Sequence, residues 1–182
     1  MAPPGRGLEV LGSAVRYALA GAGLGTAALL PRPTPCRGWD LETLLDHLCD
    51  SIEVLTAVIT GDGAVLTGCS GLADCPGPVA DPAERLRGFA AGLLVACAAA
   101  GHSGRRVAVG DRELSVNMVM VTAAIEIAVH GWDISVACGA RRPVPPGLAA
   151  ILLPIAPLLI TPGTRPGLFA DPVRLPGPAC PG

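Results

Sequence analysis

Residues 123–139 read AAIEIAVHGWDISVACG, an apolar run that carries a glutamate and a histidine four positions apart. On a helix that spacing puts Glu126 and His130 on one face, one turn apart. Glutamate is almost never fully buried without a partner, so a helix this apolar must give Glu126 one. A second histidine, His47, lies in LETLLDHLCDSIEVL beside Leu44, Leu48 and Leu55, towards the inward face of its own helix. Two imidazoles and a carboxylate from two facing helices form a set with which helical bundles hold a metal in their core. Such a set leaves coordination positions open, as catalytic metal sites do. Spacing alone leaves a plainer reading standing: a surface Glu126–His130 hydrogen bond and a half-buried His47. Two facts weigh against it. His47 and His130 are two of only three histidines, and Glu126 is the only acidic residue between Glu113 and Asp133.

Other polar residues rank below this set. Asp50 and Glu53 follow His47 on the same helix and are the candidate general bases, with a solvated helix face as the alternative. Asp133 reads as a cap or structural partner, Cys36 as a buried structural thiol, and Trp39 and Trp132 as packing anchors. His102, in AAAGHSGRR, reads as exposed loop.

Five helical segments must position these residues. Leu8 to about Leu29 has helical spacing and ends before the proline run 31–35, because proline excludes its predecessor from the helix. Asp40 is the expected N-cap of the helix carrying His47, with Glu42 in its first turn. Gly61, Gly63, Gly68 and Gly71 mark a loop to about Ala80, and Asp81-Pro82 opens a third helix to about Ala100. RRVAVGDRELSV (105–116) reads as a hairpin around Gly-Asp. A fourth helix runs from about Val116 to Ala137 and closes at Gly139. Pro145-Pro146 opens a last helix to about Leu159, kinked or shortened by Pro154 and Pro157. The remainder, from about 161, reads as an irregular tail. The fold class is all-α: a four-helix bundle with an extra C-terminal helix and a small hairpin, in one domain over residues 1–182.

Composition narrows the function. At 182 residues the chain can bury a real core. With 51% hydrophobic but 3% aromatic residues, that core must be Ala, Leu, Val and Ile. A net charge of -2 without a basic face argues against nucleic acid, and so few rings exclude base-stacking platforms. The apolar stretches are broken well before about 20 residues, so no membrane span is expected, and the N-terminus lacks a signal-peptide core. Seven cysteines without a CxxC or zinc-finger spacing are read as reduced thiols of a cytoplasmic protein, with Cys69 and Cys75 the pair most open to oxidation. The expected partner is a small molecule, and the expected state a monomer or homodimer.

Two strings are more specific than any of this: TPCRGWDLETLLDHL (34–48) and EIAVHGWDISVACG (126–139). Together they resemble the DinB-like actinobacterial proteins of the mycothiol-dependent maleylpyruvate isomerase N-terminal family, over about residues 8–175. The resemblance implies an up-down-down-up four-helix bundle. It also implies a divalent metal, zinc first with nickel, iron or cobalt as alternatives, on His47, Glu126 and His130. It further implies mycothiol as co-substrate for isomerisation or S-transfer on an electrophilic small molecule. A thiol-independent hydrolase or cyclase acting on a secondary metabolite, and a non-catalytic small-ligand or metal-binding module, are the alternatives. The pattern departs from relatives after Cys180, where they continue with a short amphipathic segment, and the isomerase's separate C-terminal domain has no counterpart here. Residues those regions supply are not carried over.

Overall fold

The computed structural model describes residues 6–61, 81–101, 105–109, 112–163 and 165. The Gly-rich loop beyond Gly61, His102, the hairpin tip Gly110-Asp111, Cys69, Cys75 and Cys180 lie outside them.

Four long helices form the bundle: α1 (Arg6–Ala22), α2 (Leu41–Thr60), α3 (Pro82–Ala100) and α4 (Val116–Ala137). A two-stranded antiparallel hairpin, β1 (Arg106–Val109) and β2 (Arg112–Ser115), leads directly into α4. α1 packs against α4 and α3, and α2 packs against α3 and α4, so α1 and α2 stand on opposite corners. This is the all-α, DinB-like bundle expected from the sequence.

The caps are local and legible. Asp40 accepts the Thr43 amide at 2.9 Å, and Gly61 ends α2 at φ 82°, a left-handed conformation that glycine adopts without penalty. Asp81 accepts the Ala83 amide at 3.1 Å with Pro82 in the first turn of α3. Ser115, which carried no expectation, caps α4 by accepting the Met118 amide at 3.2 Å.

Two sequence expectations need correction. First, α1 stops at Ala22 rather than near Leu29, and a separate 3-10 turn covers Ala27–Leu29. Gly21, Gly23 and Gly25 cluster at the break, where glycine's backbone entropy makes continued helix costly. The last helix is broken, as its prolines imply, into α5 (Pro146–Leu152) and α6 (Ala156–Leu159). Pro154 removes an amide and its ring crowds the preceding turn. Second, Val116–Ala137 is long and apolar enough to cross a membrane by composition. In the fold, 67% of its most apolar window is buried, because α4 is the central core helix. Such a helix is apolar all round because neighbours cover most of it.

The tightest seam is α1 on α4. A Cβ built on Gly131 would stand 2.8 Å from Ala18 Cα and 3.0 Å from its Cβ. One on Gly21 would stand 2.8 Å from Ser135 Oγ. The Gly of the H-G-W-D string therefore serves helix approach, one residue from the histidine it follows.

Candidate metal centre

Three short segments build the site. α2 brings His47 and Ser51, one turn apart on one face. α4 brings Glu126, His130 and Asp133, spaced by four and three. The third segment is the turn Thr34–Trp39, which the Thr34 hydroxyl closes on itself. That hydroxyl donates to the Trp39 carbonyl at 2.9 Å and accepts from the Cys36 amide at 3.1 Å. The Leu41 amide, bonded to the Arg32 carbonyl at 2.9 Å, ties this turn to the start of α2.

The three residues expected to be ligands converge. Glu126 Oε1 lies 3.2 Å from His47 Nε2 and 3.4 Å from His130 Nε2. The rings of His47 and His130 meet edge-on, with centroids 5.2 Å apart. Metal–ligand bonds of about 2.0–2.1 Å in tetrahedral geometry separate neighbouring donors by roughly 3.3 Å, so the donor set fits a divalent cation. All three donor atoms lie within 4.8 Å of one another. As hydrogen bonds, the same contacts from His130 and then His47 hold the Glu126 carboxyl well below the usual carboxylate range.

Behind His130 stands Asp133, only 5% exposed. Its Oδ2 is 3.1 Å from His130 Nδ1, so the ring is held between two carboxylates, one at each nitrogen. Burial pulls the His130 pKa down, but the bonds and charges of Asp133 and Glu126 outweigh it and raise it to about 9. A carboxylate behind a ligating histidine fixes the tautomer and ring orientation in metal sites. The sequence reading set Asp133 aside as a structural partner, and its position is that of an orienting one. The available signal was its i, i+3 spacing from His130.

Cys36 is half-buried rather than buried. Its Sγ donates to Asp133 Oδ2 at 3.4 Å and lies 4.0 Å from His130 Nδ1. Burial, and then the Asp133 charge, raise this thiol to about 11, so it is a hydrogen-bond donor and not a nucleophile near neutral pH. Trp39 packs on His47 with ring centroids 4.7 Å apart, in keeping with its reading as an anchor. Trp132 does not keep that reading: it is 41% exposed, because its neighbour Gly131 is the residue that faces α1.

A cavity of about 380 Å³ opens between α2 and α4, lined by Asp50, Ser51, Val54, Leu55, Thr122, Ala123 and Glu126. Glu126 thus belongs both to the candidate ligand set and to the cavity wall. Ser51 had no place in the sequence reading; its hydroxyl is 3.5 Å from both His47 Nε2 and Glu126 Oε1. Of the two candidate bases, Asp50 is exposed on the cavity wall. Glu53 is also exposed on α2 but does not line the cavity.

A family model described as the mycothiol maleylpyruvate isomerase N-terminal domain matches residues 12–135, well over half of the chain. The matched span holds every residue of the site and cavity. No curated protein and no solved structure matches the chain.

Proposed function

Because the chain belongs to the mycothiol maleylpyruvate isomerase N-terminal domain family, we propose that it is a metal-dependent enzyme. His47, Glu126 and His130 hold one divalent cation, and the cavity between α2 and α4 takes a small electrophile. Mycothiol is the co-substrate, and the reaction is isomerisation or S-transfer. The observation that carries this reading is the convergence of two imidazole nitrogens on one carboxylate oxygen, at 3.2 and 3.4 Å, on the wall of a cavity.

A bound cation supplies Lewis-acid chemistry and lowers the pKa of a thiol or water in its open positions. The chain's own residues do the rest. Asp133 accepts the Nδ1 proton of His130, which leaves Nε2, on the Glu126 side, as the atom that would bind the cation. Trp39 covers one side of His47 and excludes water there. Asp50, on the cavity wall, accepts the proton that the co-substrate thiol gives up. Ser51 holds the Glu126 carboxylate from the α2 side. Cys36 keeps its proton and takes no covalent part.

The test is an assay of zinc-loaded and chelator-stripped protein with an activated electrophile, with and without mycothiol. Turnover that needs both metal and thiol supports the reading. Turnover that needs metal but ignores thiol makes the protein a hydrolase or cyclase. Turnover that survives complete metal removal rejects the Lewis-acid role, and no turnover with any electrophile leaves a binding module.

A further inference from the structure

His130 meets a set of metal-binding atoms at each of its ring nitrogens. Its Nε2 faces Glu126 and His47, and its Nδ1 faces Cys36 and Asp133. In this second set Cys36 Sγ is 3.4 Å from Asp133 Oδ2 and 4.0 Å from His130 Nδ1, and Nδ1 is 3.1 Å from Oδ2. A tetrahedral ion with sulfur at about 2.3 Å and nitrogen and oxygen at about 2.0–2.1 Å sets its donors roughly 3.3–3.6 Å apart. The three separations bracket that range. Cys36 is already held in place: its amide donates to the Thr34 hydroxyl at 3.1 Å, and its carbonyl accepts the Trp39 amide at 3.1 Å. It is half-buried, so an ion can reach it, while Asp133 is buried behind it. The two sets also differ in kind. His47, Glu126 and His130 offer nitrogen and oxygen, whereas the second set adds sulfur, the soft donor that thiophilic cations prefer.

We propose that Cys36, His130 Nδ1 and Asp133 form a second metal site, selective for thiophilic cations, whose occupation excludes the cation held by His47, Glu126 and His130. The exclusion follows from the imidazole. A neutral ring has one nitrogen lone pair and one N–H, so it serves one ion at a time. With zinc on Nε2, the proton is on Nδ1 and bonded to Asp133. When a thiophilic ion takes Nδ1, that proton passes to Nε2, which then donates to Glu126. The Cys36 thiol gives its proton to solvent as the sulfur–metal bond forms, and zinc leaves. One cation enters, one cation and one proton depart, and nothing is oxidised. The second site stands on its own donors; only the exclusion rests on the reading of His47, Glu126 and His130 as ligands.

Cadmium is the probe, and the readouts are spectroscopic. Zinc-loaded full-length protein is titrated with cadmium in the presence of a chromophoric zinc indicator. Cadmium is expected to bring up the sulfur-to-cadmium charge-transfer band in the ultraviolet and to release zinc, equivalent for equivalent. Cys36→Ser is expected to lose that band and keep its zinc. Cys138→Ser, the control for the chain's other thiols, is expected to behave as the unaltered protein. His47→Ala is expected to show the band without prior zinc, because His47 belongs to the first set alone. Absence of the band in the unaltered protein, or a band undiminished in Cys36→Ser, overturns the site. Zinc that stays bound while the Cys36-dependent band develops overturns the exclusion, since two ions would then share one imidazolate. If zinc uptake does not depend on His47 while the cadmium band still depends on Cys36, the first ligand set is wrong and the second site stands.

Discussion

At the scale of single residues, the site divides into groups that would touch a cation and groups that hold those groups still. His47, Glu126 and His130 are the first kind, and His130→Ala is expected to abolish stoichiometric metal uptake, measured by elemental analysis, with the helical CD signal retained. Full occupancy in that variant would remove His130 from the ligand set. Asp133 is the second kind. Asp133→Asn keeps the volume but loses the charge behind the imidazole, and such losses lower metal affinity by about 10–100-fold. Competition with a chelator measures this; an unchanged affinity would make Asp133 a packing residue. The cysteines give a pH prediction. Cys49 and Cys97 are raised by burial from 9.0 to about 11, which disfavours the thiolate. At pH 8 their thiolate fraction is then about 100-fold below that of an ordinary cysteine. Because both are also buried from the reagent, alkylation of these two in the folded protein should be slower by at least that factor and should speed up as pH rises towards 11. Alkylation at the same rate as in urea would contradict it. Cys36, Cys49, Cys97 and Cys138 carry no disulfide among the described residues.

Elements show a different economy. In an exposed helix interior Gly→Ala is stabilising by roughly 1 kcal/mol, from helix propensity alone. At Gly131 the sign should reverse. The new methyl meets the backbone Cα of Ala18 at 2.8 Å, and backbone cannot swing aside as a side-chain tip can. Overpacking of this kind costs about 1–3 kcal/mol, so Gly131→Ala should lower the urea midpoint with little change in slope. Because Gly131 adjoins His130, metal affinity should fall in the same variant. Unchanged stability would mean that α1 slides freely on α4. The Asp40 cap provides an independent control on α2. It lies outside the seam, and Asp40→Ala should cost about 0.5–2 kcal/mol without changing metal uptake. These positions were legible to different degrees. Asp40, Asp81 and Gly139 read directly from sequence because a cap is decided within a few residues. The break at Pro154 was legible for the same reason, whereas the end of α1 was misplaced because it depends on how several weak local preferences add.

For the whole molecule, the proposed ligands join α2 to α4, so a bound cation would be a cross-link between two corners of the bundle. A ligand that binds only the folded state stabilises it by RT ln(1 + [L]/Kd), about 2.7 kcal/mol at a hundredfold excess over Kd. Zinc loading should therefore raise the melting temperature of the unaltered protein and leave that of His130→Ala where it was; equal shifts in both would point to a site elsewhere. What the sequence determined by itself is what depends on short spacing. Its periodicity and caps set four long helices, Glu126 and His130 must share a face because they are four apart on one helix, and the T-P-C-x-G-W and H-G-W-D strings carried the family. What only the tertiary structure decided is every relation between segments distant in the chain. His47 reaches Glu126 across 79 residues, and Cys36 reaches Asp133 across 97. The charge of the α2–α4 cavity depends on which side chains two helices turn towards each other. Helical periodicity places a residue on a face of its own helix, but the rotation of that helix against its neighbours is set by packing summed over the whole core. Asp133 could thus be read as a structural partner in sequence and still stand behind a ligand in space.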